Sequence, residues 1–124
     1  MKLLDSLYHI IDDSKNDMEH SYIIKLNAEH FIYSAHFPGE PITPGVCIMQ
    51  IAHELLEYHM DQDLMIETVK NIKFLRIITP TDTPVVCYTL NKISCEEGCV
   101  KSQVTVSFEG DMFAKLSLIC RINA

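Results

Sequence analysis

An α+β fold, an antiparallel sheet wrapped around one long central helix, is predicted for this chain by three observations. The run Val46–Ala52 is apolar on every side except at Gln50, and a helix without a polar face must be buried all round. Beyond residue 68 the apolar residues alternate with period two, and turn residues separate the runs. At 124 residues the chain fits one domain with no room for a second. A single domain over residues 1–124 is therefore expected, and only a curved sheet of the same chain could enclose the helix.

Taken in order, residues 2–11 place Leu3, Leu4, Leu7, Ile10 and Ile11 at helical spacing and predict a short amphipathic helix. The polar run from Asp12 to Glu19 predicts a loop, and Tyr22, Ile23, Ile24 and Leu26 predict a strand over 21–26. Residues 36–46 hold three prolines and two glycines, which predicts a fixed, irregular turn. Thr43 then suits a helix N-cap, with Pro44 at the first helical position, where its missing N–H costs nothing. The central helix is expected over about 44–60. Its far end, with Glu54, Glu57 and His59, is expected to approach solvent. Ile72 and Phe74 alternate with Lys73 as in a strand, Pro80-Thr81-Asp82 marks a turn, and Val85 to Leu90 is β-rich. Glu96-Glu97-Gly98 and Glu109-Gly110-Asp111 read as hairpin turns. Between and after them, Val104, Val106 and Phe108, then Leu116, Leu118 and Cys120, alternate with polar residues.

Composition excludes several function classes. With 48% hydrophobic and 22% charged residues the chain is an ordinary globular protein, not a disordered one. No apolar stretch is long enough to span a bilayer. Asp5 stands where a secretory signal would need an apolar core, so a cytoplasmic location is expected. A net charge of −7, with no dense Lys/Arg cluster, argues against nucleic acid as a partner. The five cysteines form no recognisable disulfide framework. Cys95 and Cys99 flank a hairpin turn, and two thiols without nearby partner ligands make a poor zinc site. No metal and no cofactor is expected.

The run His36-Phe37-Pro38-Gly39-Glu40-Pro41-Ile42-Thr43-Pro44-Gly45 resembles the active-site signature of the β-hydroxyacyl-acyl carrier protein dehydratases, a hot-dog-fold family. That pattern is His-Phe-Pro-Gly, a variable residue, Pro, two more residues, then Pro-Gly opening the central helix. All of its fixed positions are met. Lys70 to Asp82 resembles the family's following strand and turn, with Pro80-Thr81-Asp82 in place of the usual Pro-Gly-Asp. The resemblance spans roughly residues 22–120 and is strongest over 36–54. Two departures stand out. The N-terminal Pro-His-Arg-Tyr-Pro-Phe segment of the general dehydratases is absent. The catalytic carboxylate of the family, fourteen residues after the signature histidine, is here Gln50, while Glu54, one turn further on, stands where the family carries Gln.

The resemblance implies a lyase that dehydrates 3-hydroxyacyl thioesters, carried by acyl carrier protein or coenzyme A, in fatty-acid or polyene-type synthesis. His36 would remove the proton beside the carbonyl. The Gly45 N–H, at the positive end of the helix, would hold the thioester oxygen. Phe37, Gly45, Val46 and Met49 would line the substrate site. A lone histidine is more often structural than catalytic, and the surrounding signature is what singles out His36. Gln50 can orient a hydroxyl or water but has no transferable proton near neutral pH, and losing a general acid typically costs about 10²–10⁴ in rate. Glu54 is the alternative acid, displaced along the helix by roughly 5–6 Å. Two other readings follow. In a hot-dog thioesterase Glu54 would activate water that Gln50 positions. In a non-catalytic acyl-binding subunit, Gln50 would mark lost activity, and the chain would pair with an active homologue. Family members pair so that two sheets join, so a homodimer or higher oligomer is expected. Lys70, Lys73 and Arg76 form the compact basic set that an acidic carrier protein would need.

Overall fold

The computed structural model describes residues 2–16, 18–36 and 39–123, the side chain of His36 excepted. Six strands, β1 (Tyr8–Lys15), β2 (Glu19–Leu26), β3 (Leu64–Phe74), β4 (Val85–Glu96), β5 (Cys99–Phe108) and β6 (Asp111–Ile122), form one sheet in the order β1-β2-β4-β5-β6-β3. Every neighbouring pair is antiparallel. The sixteen-residue helix α2 (Gly45–Met60) follows the five-residue helix α1 (Ile32–His36) and precedes β3. Cys47, Ile48, Ile51 and Leu55 of α2 join Tyr22, Ile24, Tyr88, Val104 and Leu116 of the sheet in one core. Inside it, the buried Tyr88 hydroxyl donates to the Ile48 carbonyl at 3.1 Å. The predicted α+β arrangement is therefore the observed one.

The C-terminal half follows the sequence closely. Alternating burial along β5 and β6 matches the period-two pattern, and both predicted hairpin turns close where expected, at Glu96↔Cys99 and Phe108↔Asp111. That register pairs Cys95 with Val100 and Cys99 with Glu96, placing the two thiols on opposite faces of the sheet.

Several expectations need correction. Residues 2–11 are not a helix. Leu7 N–H bonds the Leu3 carbonyl at 2.8 Å to make a single turn, and the chain then enters β1. Nor is 12–19 a loop. Asp12 to Lys15 pair with Ile23 to His20, and the turn is closed by Asn16, whose side-chain oxygen accepts from the N–H groups of Met18 and Glu19. Pairing with β2 outweighed the local leucine spacing, as tertiary contacts routinely outweigh helix propensity. Thr43 does not cap α2. Pro44 is the N-cap, with extended backbone angles and no side-chain cap bond, and Gly45 opens the helix. Thr43 is buried instead, its N–H donating to Ile78 O at 2.8 Å and its hydroxyl paired with Tyr33 Oη at 3.0 Å. The helix start is not buried all round, because Val46 is 63% exposed; the sheet covers one side of α2 only. Glu54 does not approach solvent. It is 3% exposed, covered by the N-terminal segment.

Candidate active site at the start of the central helix

Cys47 and Ile48 N–H donate to the Pro44 carbonyl, so only the N–H groups ahead of them at the start of α2 lack intrahelical acceptors, and Pro44 supplies no side-chain cap. The Gly45 N–H therefore stands at the positive end of a sixteen-residue helix. Beside it lies a cleft of about 310 Å³, lined by Gly45 and by Ile42, Ile48, Phe74, Leu75 and Ile77. Thr43, tied to Ile78 and Tyr33, fixes the approach of the chain to this point. Gly45 stands close to the edge strand: a Cβ there would sit 2.9 Å from Phe74 Cζ, so the half-exposed ring would have to move aside. The neighbour is Phe74, on the edge strand β3. Arg76 also lines the cleft; its guanidinium lies 5.7 Å over the Phe113 ring and 3.4 Å from Asp111.

Below this seat, Gln50 and Glu54 sit one turn apart on α2, and Gln50 Nε2 donates to Glu54 Oε2 at 2.8 Å. A carboxylate oxygen accepts and cannot donate, so the amide must turn its nitrogen toward Glu54. The same Oε2 accepts from Leu3 N–H at 2.7 Å, and Oε1 accepts from Leu4 N–H at 2.8 Å and from the Tyr8 hydroxyl at 3.0 Å. Glu54 thus holds four donors drawn from the N-terminal turn, β1 and its own helix. Burial and the adjacent Glu54 charge push the Tyr8 hydroxyl well above its ordinary range.

The remaining sequence candidates, and three other half-buried histidines, fall in different places. The His36 side chain and Phe37 lie outside the described residues. Met49 is partly buried, and Val46 points outward, away from the cleft lining. His20 and His59 are half-buried in an aromatic stack with Tyr22, whose hydroxyl meets His59 Nδ1 at 3.2 Å. His53 Nε2 lies 2.7 Å from Leu64 O and is occupied in holding the start of β3. Sequence reasoning missed Tyr8, Phe74 and Ile42. A signal for the Glu54 site was present, since Glu54 shares a helix face with Cys47 and Ile51, both buried.

A family model described as ApeI-like, ApeI dehydratase, matches residues 12–114. The chain belongs to the ApeI-like dehydratase family. Among curated relatives, the 3-hydroxyacyl-[acyl-carrier-protein] dehydratase FabZ of Latilactobacillus sakei is 32% identical over 95 residues, covering 71% of this chain and 68% of that one. FabZ of Clostridium acetobutylicum is 27% identical, covering 71% and 67%. The dehydratase heterocomplex ApeI:P from Xenorhabdus doucetiae contains a chain of the same fold, with a TM-score of 0.69 at 14% identity over 91% of this ApeI-like chain and 97% of that one. A thioesterase of Pseudomonas aeruginosa gives a TM-score of 0.64 at 14% identity over 88% and 77%. The architecture is thus the hot-dog fold, and the family is one of dehydratases.

Proposed function

We propose that the chain acts on 3-hydroxyacyl thioesters of acyl carrier protein, removing water to leave the enoyl thioester. The observation that carries this reading is the uncapped start of α2, with Gly45 at the wall of an apolar cleft of about 310 Å³, directly after the signature opened by His36. The thioester oxygen would accept from Gly45 N–H, where enolate-like charge develops. His36 would take the C2 proton as the C3–O bond breaks, and the hydroxyl would leave as water. Glu54, with four donors on its two oxygens, suits the role of anchor for Gln50 better than that of proton donor. The proton for the leaving hydroxyl would then come from water or from the imidazolium formed at His36, with Gln50 orienting the hydroxyl.

Hydration of an enoyl thioester, followed as loss of the conjugated chromophore, tests this reading. Activity lost in His36→Ala and raised in Gln50→Glu is expected, the latter by up to about 10²–10⁴. Undiminished turnover in His36→Ala would sink it.

A second reading, that of a subunit paired with an active homologue, is favoured by Gln50 standing where the family carries its acid. It predicts turnover only when such a homologue is added. In either case the chain is expected to pair through edge strand β3. Met65 (54% exposed) and Phe74 (50%) lie on this strand and Ile77 (62%) just past it, presenting apolar side chains on an unpaired edge.

A further inference from the structure

The end of α2 opposite the carbonyl seat carries a cluster of titratable rings that the reaction does not use. His59, in the last turn of the helix, meets β2 where His20 and Tyr22, two residues apart, share one face of the strand. His20 stacks on Tyr22 with ring centroids 4.4 Å apart and meets His59 edge-on at 4.9 Å. The Tyr22 hydroxyl lies 3.2 Å from His59 Nδ1, and Tyr58 packs edge-on against the Tyr22 ring at 5.8 Å. Edge strand β1 joins through Asp13, whose Oδ2 lies 3.1 Å from His20 Nε2. Among the described residues this is the one side-chain hydrogen bond from the exposed residues 12–15 to another element. Lys15, Glu19, His20 and His59 border an open cleft of about 180 Å³, through which water reaches the rings.

We infer that this cluster is an acid-opened latch: it holds the last turn of α2 to the β1–β2 hairpin while His59 is neutral and releases it when His59 takes a proton. Facing His59 are Lys15 from β1, Glu19, His20 and Tyr22 from β2, and Tyr58 from its own helix, while β4 adds the apolar Ile93. Burial first, then His20 and Lys15, lower the His59 imidazole from its ordinary value. A helix C-terminus favours a cation, and Glu19 borders the same cleft, yet burial and the two neighbouring bases prevail. Burial, with Asp13 and Tyr58 nearby, pushes the Tyr22 hydroxyl up to about 12, so the hydroxyl donates and His59 Nδ1 accepts. A proton on Nδ1 removes that acceptor and sets a cation beside Lys15 in a half-buried site. His20 Nδ1 is buried without a partner among the described residues, and water would satisfy it once the rings part. The opened latch exposes His59 at its ordinary value of about 6.5. Below that pH the open form binds a proton that the closed form lacks, so the latch weakens as pH falls, by at most about tenfold per pH unit. Above it His59 is neutral in both forms and the latch stays shut.

Native-state hydrogen exchange, corrected for the chemical rate at each pH, reads the latch directly. Between about pH 6.5 and about pH 5.5 the opening ratio of wild-type amides in residues 12–15 and 58–60 should rise severalfold, by no more than about tenfold. Amides of β5 and β6 should keep theirs. His59→Gln offers the Tyr22 hydroxyl an amide oxygen that does not titrate, and its opening ratios should be flat over the same range. No acid opening in wild type, the same opening in His59→Gln, or an opening shared equally by β5 and β6 would overturn the inference. Should His59→Gln not fold, Lys15→Gln on the exposed strand edge decides. Removing a cation that faces His59 lets the closed form take the proton more readily, so the rise should shrink. A rise as large as in wild type, or larger, would count as refutation.

Discussion

Replacing Glu54 by alanine removes one acceptor group from four donors at once, and the structure allows the cost to be worked out. Leu3 N–H and the Tyr8 hydroxyl are buried and lose their acceptor outright, while Leu4 N–H and Gln50 Nε2 are only part-buried and can turn to water. Each buried donor left unpaired costs about 1–3 kcal/mol, so a loss of about 3–5 kcal/mol is expected, the range for breaking a buried charged network. Against a typical total stability of about 5–15 kcal/mol, that is a large share. Glu54→Gln keeps one accepting oxygen but turns an NH₂ toward two donors, and should lose about half as much. Tyr8→Phe deletes a single donor and leaves the carboxylate three partners, so about 1–2 kcal/mol is expected. Urea unfolding followed by circular dichroism reads all three as shifts in midpoint at constant slope. A Glu54→Ala variant within about 1 kcal/mol of wild type would refute the reasoning. So would a Glu54→Gln variant of wild-type stability that has lost all turnover, the outcome that would make Glu54 the acid.

Three further outcomes are expected. Burial raises the hydroxyls of Tyr8 and Tyr88, and pushes Tyr22 up to about 12. The unfolded chain releases these protons near pH 10 while the folded chain keeps them, so stability should fall as pH rises above about 10, by about 1.4 kcal/mol per pH unit for each such tyrosine; an unchanged urea midpoint between pH 8 and 11 would contradict this. Gly45→Ala should move the half-exposed Phe74 ring aside at a cost below about 1 kcal/mol; a loss of several kcal/mol in the same urea titration would contradict this. Burial raises the thiols of Cys47 and Cys120, the latter to about 11. A disulfide reagent near neutral pH should therefore label exposed Cys95 first, and reach Cys47 and Cys120 only on unfolding.

What could be read from residues alone was whatever rested on local pattern. The alternation in Val104–Phe108 and Leu116–Cys120, the two hairpin turns and the start of the long helix beside Gly45 all depend on neighbours in sequence. Long-range pairing defeated that method at Ile10 and Ile11, whose spacing with Leu3, Leu4 and Leu7 fits a helix although they lie in β1, an edge strand against β2. It failed again at Glu54, whose polar character suggested solvent, because its burial depends on donors some fifty positions away. The gathering of lysines on the outer face of the sheet was invisible for the same reason. Lys70, Lys92, Lys101 and Lys115 are spread along the chain and meet only through register. The expected basic set of Lys70, Lys73 and Arg76 is divided by the structure, with Arg76 at the cleft beside Asp111.

The irregularity in β3 settles what the cleft wall is made of. Between Lys70 and Lys73 the strand advances three residues while β6 advances two, from Ser117 to Lys115, and Asn71 takes up the surplus with φ 55°. A flat strand of the same length would turn the Lys73 ammonium inward and leave the Phe74 ring in water. Chains one residue shorter at this point could keep both side chains on their present sides, whereas one residue longer would bring a cation to the carbonyl seat unless a second surplus were absorbed. Insertions here should therefore be purged far more strictly than deletions.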